Sequence, residues 1–326
     1  MRRVASALVV LAALAAPLFA EDKPSSVAKE GEIPLEGGNT FDRMAIDSDA
    51  GRLYVAHALN VDVVDTAKAE RLGVVEGVDR AHGVVIVPDL KRGFASAGKK
   101  NRLVVFDLAT LKMTKEILAG DDPDAVLYVS ATKEVWAFNA KSSNVTCVDS
   151  VSLEVKATIA LGGKPEFAVE HAAKNLVYVG LVGEKDSVCV IDSRGHKVAG
   201  THLIGSGVEP TGLALDARAG LLFVGCANEL LVVLDVGSWK VVASLPIGSR
   251  CDGVALDAAT GNVFVSCNGA TSVVHLKGKA YQVVASLDTP GGRSCVVDPK
   301  THKLYVASGP MKGDQGDVKV LVFAPK

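Results

Sequence analysis

Leu213-Ala214-Leu215-Asp216, Gly220 and Leu222-Phe223-Val224-Gly225 decide the fold. They read as two short apolar strands joined by a tight turn, with an Asp closing the first strand and a Gly able to take the positive φ that such a turn needs. The chain then repeats this unit. Strands carrying one aromatic recur as Leu53-Tyr54-Val55-Ala56, Gly93-Phe94-Ala95-Ser96, Val135-Trp136-Ala137-Phe138, Val177-Tyr178-Val179-Gly180, Val263-Phe264-Val265-Ser266 and Leu304-Tyr305-Val306-Ala307. The aromatics at 54, 94, 136, 178, 223, 264 and 305 are 40, 42, 42, 45, 41 and 41 residues apart, which makes seven copies. Apolar runs such as Met44-Ala45-Ile46 and Val254-Ala255-Leu256 precede them, and four of these runs end in Asp47, Asp216, Asp257 or Asp298. Gly51, Asn175, Gly220 and Gly261 stand three residues before the aromatic, where a hairpin turn is expected.

A third strand ending in Asp follows in five copies: Val63-Val64-Asp65, Val105-Phe106-Asp107, Cys147-Val148-Asp149, Val190-Ile191-Asp192 and Val233-Leu234-Asp235. Copies six and seven depart, with Leu276-Lys277 and Phe323-Ala324. A fourth strand runs to a Gly, as in Ala157 to Gly162 and Val242 to Gly248. Four antiparallel strands in about 42 residues, repeated seven times, define a β-propeller. The seventh copy stops after its third strand, at Val318 to Phe323, while Gly31-Glu32-Ile33-Pro34-Leu35-Glu36-Gly37 precedes copy one without a match. That segment is expected to supply the missing strand, pairing an edge that would otherwise stay open. The expected fold is all-β: one closed domain, a seven-bladed β-propeller of four antiparallel strands per blade, with an N-terminal strand closing the last blade. Composition agrees, because 32 Gly, 5% aromatics and frequent Val favour strands and tight turns over a helical bundle. At 48% hydrophobic and 22% charged the chain is not a disordered one.

The aromatic strand followed by a strand ending in Val-Ile-Asp resembles the YVTN-type β-propeller repeat of exported bacterial proteins, the YncE-like group. The resemblance covers residues 30 to 326, is closest in copies five and six, and is looser in copies two and three, where Val87 and Val129 replace the turn Asp. It implies a seven-bladed propeller. Members of the group also resemble domains of quinoprotein dehydrogenases and lactonases, so the resemblance speaks to fold far more than to chemistry.

Residues 1–20 read as a secretory signal peptide: Arg2 and Arg3, an apolar run from Val4 to Leu18, then Ala20 before Glu21-Asp22-Lys23. Cleavage is expected after Ala20, and the apolar stretch is short for a membrane anchor. Residues 21–29 are expected to be a flexible N-terminal segment before the propeller at 30–326. The protein is thus expected to be exported, periplasmic or secreted, a monomer with no membrane span after cleavage. With 35 basic and 37 acidic residues the net charge is −2, giving no electrostatic reason to expect nucleic acid.

No haem-attachment, nucleophile-elbow, phosphate-loop or His-Glu-x-x-His motif occurs. The strand-end Asp residues are read as turn caps. Candidate site residues come instead from the loops around the channel mouth, where propellers commonly bind ligands. Just before the first strand of each copy stand Asp42, His82, Asp124, Glu166, Thr211, Asp252 and Arg293, and fifteen residues later His57, Ala97, Asn139, Leu181, Cys226, Cys267 and Ser308. These positions vary from copy to copy, unlike the core positions. Asp42, Asp124, Asn139, Glu166 and Asp252 are oxygen donors suited to Ca²⁺. His57, His82, Cys226 and Cys267 suit Zn²⁺ or copper. Alternatively the mouth binds a small polar ligand directly, with Arg293 meeting an anion, or is only a solvated rim. No cofactor is expected, and Ca²⁺ or a transition metal is the alternative.

Six cysteines in an exported chain raise the question of disulfides. Cys147 and Cys189 are expected to be buried thiols, Cys295 to pack, and Cys251 is the candidate to bridge Cys226 or Cys267. The connection after the second strand is longest in copy seven, where Gly309 to Asp317 forms a polar, Gly-rich loop. Taken together, the sequence points to a binding scaffold recognising a protein partner or small polar ligand at the mouth, without catalysis. The alternative is a metal-dependent lactonase-like hydrolase, and the third reading a redox-accessory protein beside an oxidoreductase.

Overall fold

The computed structural model describes residues 26–278, 280–310 and 316–326. Among these, 28 strands form seven four-stranded antiparallel sheets. In blades one to six the four strands follow one another in sequence, over 41–76, 81–118, 123–160, 164–203, 210–246 and 253–289. Blade seven contains Gly292–Val297, Leu304–Ser308 and Val318–Pro325, with Val27–Leu35 as its outermost strand.

The closing strand is the expected one, but it starts earlier. Val27 pairs with Pro325 and Ala28 with Ala324 before a bulge between Lys29 and Gly31, so residues 27–29 are strand rather than a flexible segment. Ile33 and Leu35 are buried there against Leu53 and Val55 of blade one, fastening the first part of the chain to the last. The expected signal peptide at 1–20 and residues 21–25 lie outside the described residues, as do residues 311–315 of the long loop in blade seven.

The turns form as the repeat predicts. Oδ1 of Asp47, Asp65, Asp107, Asp149, Asp192, Asp216 and Asp235 accepts from the amides two and three residues on, the Asx-turn arrangement. Those amides hold the Asp65, Asp107 and Asp149 carboxyls below their usual range. Gly51, Asn175, Gly220 and Gly261 all take positive φ, between 54° and 73°. In the other three copies the same left-handed position is held by Lys91, Lys133 and His302, at 52° to 57°.

The core is distributed around the ring as seven apolar slabs, one at each junction between neighbouring blades. This explains the composition of the middle strands. A blade packed on both faces buries both sides of its second and third strands, so these read as continuous Val, Leu and aromatic runs, while outer strands such as Val241–Pro246 alternate with solvent. All seven repeat aromatics are buried, each beside an aliphatic or Cys residue of the third strand, as Phe223 is beside Val233. Inner strands meet closely at the axis: a Cβ on Gly83 would lie 2.6 Å from the Asp124 carbonyl oxygen. No helix of the described residues is long and apolar enough to cross a membrane.

Candidate functional site: the channel mouth

In six blades the first strand carries a register shift at its mouth end, and Asp42, His82, Asp124, Glu166, Thr211 and Arg293 each fall inside or beside that irregularity. A bulge at a sheet rim turns a side chain out of the alternating pattern, which is how an inner strand packed between neighbours can present a polar residue. The Ser96 hydroxyl fixes two of these rims together, accepting from the Gly83 amide at 2.8 Å and donating to the Asp124 carbonyl at 2.6 Å.

The mouth residues divide into two groups. In the first, Asp42, His82 and Asp124 come from three successive blades. His82 Nδ1 lies 2.6 Å from Asp42 Oδ2 and 3.8 Å from Asp124 Oδ1, and one ligand atom from each residue lies within 4.8 Å of the others. Burial, reinforced by the charge of Asp42, pushes the Asp124 carboxyl up to about 7, against the pull of His82 and Arg43. Burial works against a charge on His82, but the hydrogen bond and charge of Asp42 outweigh it and raise the imidazole. Asp124 and His82 therefore both hold a proton to higher pH than they would as free side chains.

The second group is organised by Arg43, which the sequence reading did not single out. From blade one it crosses to blades four, five and six. Nη1 donates to the Asp252 carbonyl, Nη2 donates to the Thr211 carbonyl at 2.9 Å and lies 3.2 Å from Asp252 Oδ1, and the guanidinium stacks 4.6 Å from the centre of the Phe167 ring. Burial opposes its charge, yet Asp252, Asp42, Asp124 and Glu166 together raise it. Asp252 is itself raised, by burial first, with Arg43 opposing. A signal for Arg43 did exist. One residue after the mouth position the seven copies read Arg43, Gly83, Ala125, Phe167, Gly212, Gly253 and Ser294. Five small residues leave the space that one Arg and one Phe fill.

The remaining candidates are placed elsewhere. His57 is buried within blade one, with Nδ1 on the Asp62 carboxylate and Nε2 3.2 Å from the Gly38 carbonyl, while Arg71 holds the other oxygen of Asp62. Asn139 is buried and donates to Asn144 and Thr146 of its own blade. Glu166 is paired with Lys164 on its own strand. Arg293 lies over the Phe41 ring at 5.0 Å and donates to the Phe41 carbonyl at 3.4 Å, turned toward blade one. Cys226 and Cys267 are buried with their thiols on carbonyls of their own strands. The structure thus gathers neither the five-oxygen set nor the two-His, two-Cys set into one site. Asp42, His82 and Asp124 are the residues it does bring together. All six cysteines are free thiols, so the bridge expected from Cys251 to Cys226 or Cys267 is not formed: the Cys251 thiol donates to the Gly253 carbonyl and the Cys267 thiol to the Val265 carbonyl instead.

Fold and site together define a closed seven-bladed β-propeller with an asymmetric polar channel mouth. The family model described as YNCE-like beta-propeller matches residues 6–263, and the chain belongs to that family. Over 147 residues it is 29% identical to YncE of Salmonella typhi and 27% identical to YncE of Escherichia coli K12. Each match covers 42% of this chain and 41% of the relative, so the chain spans about two fifths of the length of the curated relatives it matches. Among solved structures, Kuenenia stuttgartiensis hydrazine synthase is similar with a TM-score of 0.74 at 14% identity, over 82% of this chain and 92% of that one. At that identity the likeness is one of fold.

Proposed function

We propose that this chain is an exported binding propeller whose ligand seat is the channel mouth, and that it takes a small polar ligand rich in hydrogen-bond donors. The observation that carries the reading is the convergence of Asp42, His82 and Asp124 from three blades at half-buried positions, with Asp124 Oδ1 3.8 Å from His82 Nδ1, beyond hydrogen-bond reach. A rigid ring whose rim residues vary from blade to blade is a platform for recognition. The test is a thermal-shift panel of small amines, amino acids and polyols on the wild-type protein and on Asp42→Asn/Asp124→Asn. A ligand at a hundred times its dissociation constant stabilises by about 2.7 kcal/mol, or about 4 °C for a propeller of this size. The shift is expected in the wild type and lost in the double variant, and a shift that survives puts the seat elsewhere.

The spacing of the same three residues favours a second reading, a divalent cation held by two carboxylates and an imidazole. This is the seat that the metal-dependent hydrolase alternative requires. Elemental analysis of protein purified without chelator checks it: a divalent-ion content lower by about one per chain in Asp42→Asn/Asp124→Asn than in the wild type is the supporting result.

A further inference from the structure

The repeat supplies a reference residue for every position, and at the junction of blades three and four several positions depart from it together. Two residues before the buried aromatic stand Arg52 and Arg92 in blades one and two, Leu176 and Leu221 in blades four and five, and Glu134 in blade three. The third-strand residue paired with that aromatic is Val63, Val105, Val190 and Val233, but Cys147 in blade three. The left-handed residue in the outer turn of the following blade is Leu111, Leu153 and Trp239 where it faces blades one, two and four, and His196 where it faces blade three. The aromatic here is the Trp of the series, Trp136, against Tyr or Phe in the others.

These replacements meet in space. In blades one and two the Arg donates to carbonyls in the neighbouring turn, Arg52 to Leu108 and Arg92 to Ser150 and Val151. In blade three Glu134 reaches that same turn with the opposite charge, its Oε2 2.8 Å from His196 Nε2 while accepting from Trp136 Nε1 at 2.8 Å. Donor atoms of Glu134, Cys147 and His196 all lie within 4.8 Å of one another. Glu134 and Cys147 are buried, and His196 is open on one side.

A carboxylate, a thiolate and an imidazole are donors that zinc takes in four-coordinate sites, and sulfur with nitrogen selects late transition metals over Ca²⁺ or Mg²⁺. The charges also match, because thiolate and carboxylate together neutralise a divalent ion in a buried setting. An indole N–H on the ligating carboxylate is the kind of outer contact that orients a metal ligand. We propose that Glu134, Cys147 and His196 form a binding site for a late divalent transition-metal ion of the zinc class, backed by Trp136 and open to one exogenous ligand on the His196 side. On binding, the Cys147 S–H bond breaks, a sulfur–metal bond forms, and the proton leaves to solvent. The site lies at the opposite end of the blades from the mouth and is independent of the function proposed there.

Co²⁺ is the probe, added to the whole reduced protein after chelation. We expect one Co²⁺ per chain to give a thiolate-to-cobalt charge-transfer band in the near ultraviolet, displaced by Zn²⁺, and to quench Trp136 fluorescence. Cys147→Val, which restores the residue of the sister blades, abolishes the band. His196→Asn, at a turn position where Asn tolerates the left-handed backbone (φ 47°), keeps the fold and weakens binding by about 100-fold or more, the upper end of what outer-shell partners alone contribute. Asp42→Asn/Asp124→Asn leaves the band intact, which separates this site from a cation at the mouth. No sulfur band in the wild type, or a band that persists in Cys147→Val, overturns the proposal.

Discussion

Replacing Arg43 by Met tests whether the charge across the channel holds the mouth together. Arg43 is 7% exposed, and its guanidinium faces Asp252 at 3.2 Å and Asp42 at 3.6 Å. Met keeps the aliphatic bulk, so the change isolates the charge from a cavity. Removing one partner of a buried ion pair costs about 3–5 kcal/mol, because the other charge is left desolvated and unpaired. The stack on Phe167 contributes about 0.5–2 kcal/mol of such a loss. With about 2.1 cal/mol/K of unfolding entropy per residue, roughly 300 ordered residues convert this into a Tm lower by about 5–8 °C, read by calorimetry at pH 7. Two further measurements identify the cause. At pH 5 the deficit shrinks, since Asp252 and Asp124, already raised, take up protons more readily once Arg43 is gone. Adding Asp252→Asn to Arg43→Met restores part of the loss. A Tm within about 1 °C of wild type, or a deficit that neither pH 5 nor Asp252→Asn reduces, would show that Arg43 only fills space.

Three more outcomes follow from the same structure. Asp124 is raised from 3.8 to about 7 and His82 is raised above 6.5, so the folded state holds protons that the unfolded chain has released. The stability from Asp124 is present at low pH and declines from about pH 4 toward 7. That from His82 is present below 6.5 and lost as pH rises through its folded value. Tm is therefore expected to fall between pH 5 and 8, with a shallower fall in Asp124→Asn, and a rise over that interval contradicts the assignment. Lys133 is exposed with a φ of 57°, where sister blades have Gly, so Lys133→Gly should stabilise by about 0.5–1 kcal/mol in urea unfolding, the relief of left-handed strain less the entropy of Gly. Burial pushes Cys189 up to about 11 and Cys226 and Cys295 up to about 12. A thiol reagent at pH 8 should thus find these groups inert in the native protein and count six thiols in denaturant, with four pointing to a Cys251–Cys267 bridge.

Fold and site were legible in the sequence to different depths, for a physical reason. A position such as 54, 223 or 264 faces the same environment in every blade, so selection for packing repeats the same residue type and the period stands out. The Asx turns at Asp65 or Asp216 are local, set by amides two and three residues away, and are visible for the same cause. The mouth is different. Its residues could be placed on the rim by register, but whether a rim side chain turns inward depends on contacts between blades: Asp42 meets His82 from the next blade, whereas His57, equally placed in register, finds Asp62 on its own blade first. Asn139 is lost to Asn144 and Thr146 in the same way, and Arg293 to Phe41. Nothing in the spacing distinguishes these outcomes, because short-range competition inside a blade decides them.

Arg43 and the Glu134, Cys147 and His196 group share a different property. Each is visible as a departure from the repeat only when the copies are compared position by position, and each becomes meaningful only when the departures prove to be neighbours. A single departure can be absorbed locally, as Lys91 is at a turn position where Gly stands elsewhere, whereas His302 at the equivalent turn reaches the buried Asp257 carboxylate of blade six. Coincident ones are harder to attribute to drift. An Arg at the axis needs small residues in the facing strands and carboxylates to meet its charge. A Glu at a junction where its sisters carry Arg leaves the next turn without that donor, and His196 takes up the contact from the other side. Symmetry fixes what the ring requires of every blade. What it does not require shows where several positions have changed to suit one another, as at the channel mouth and at the junction of blades three and four.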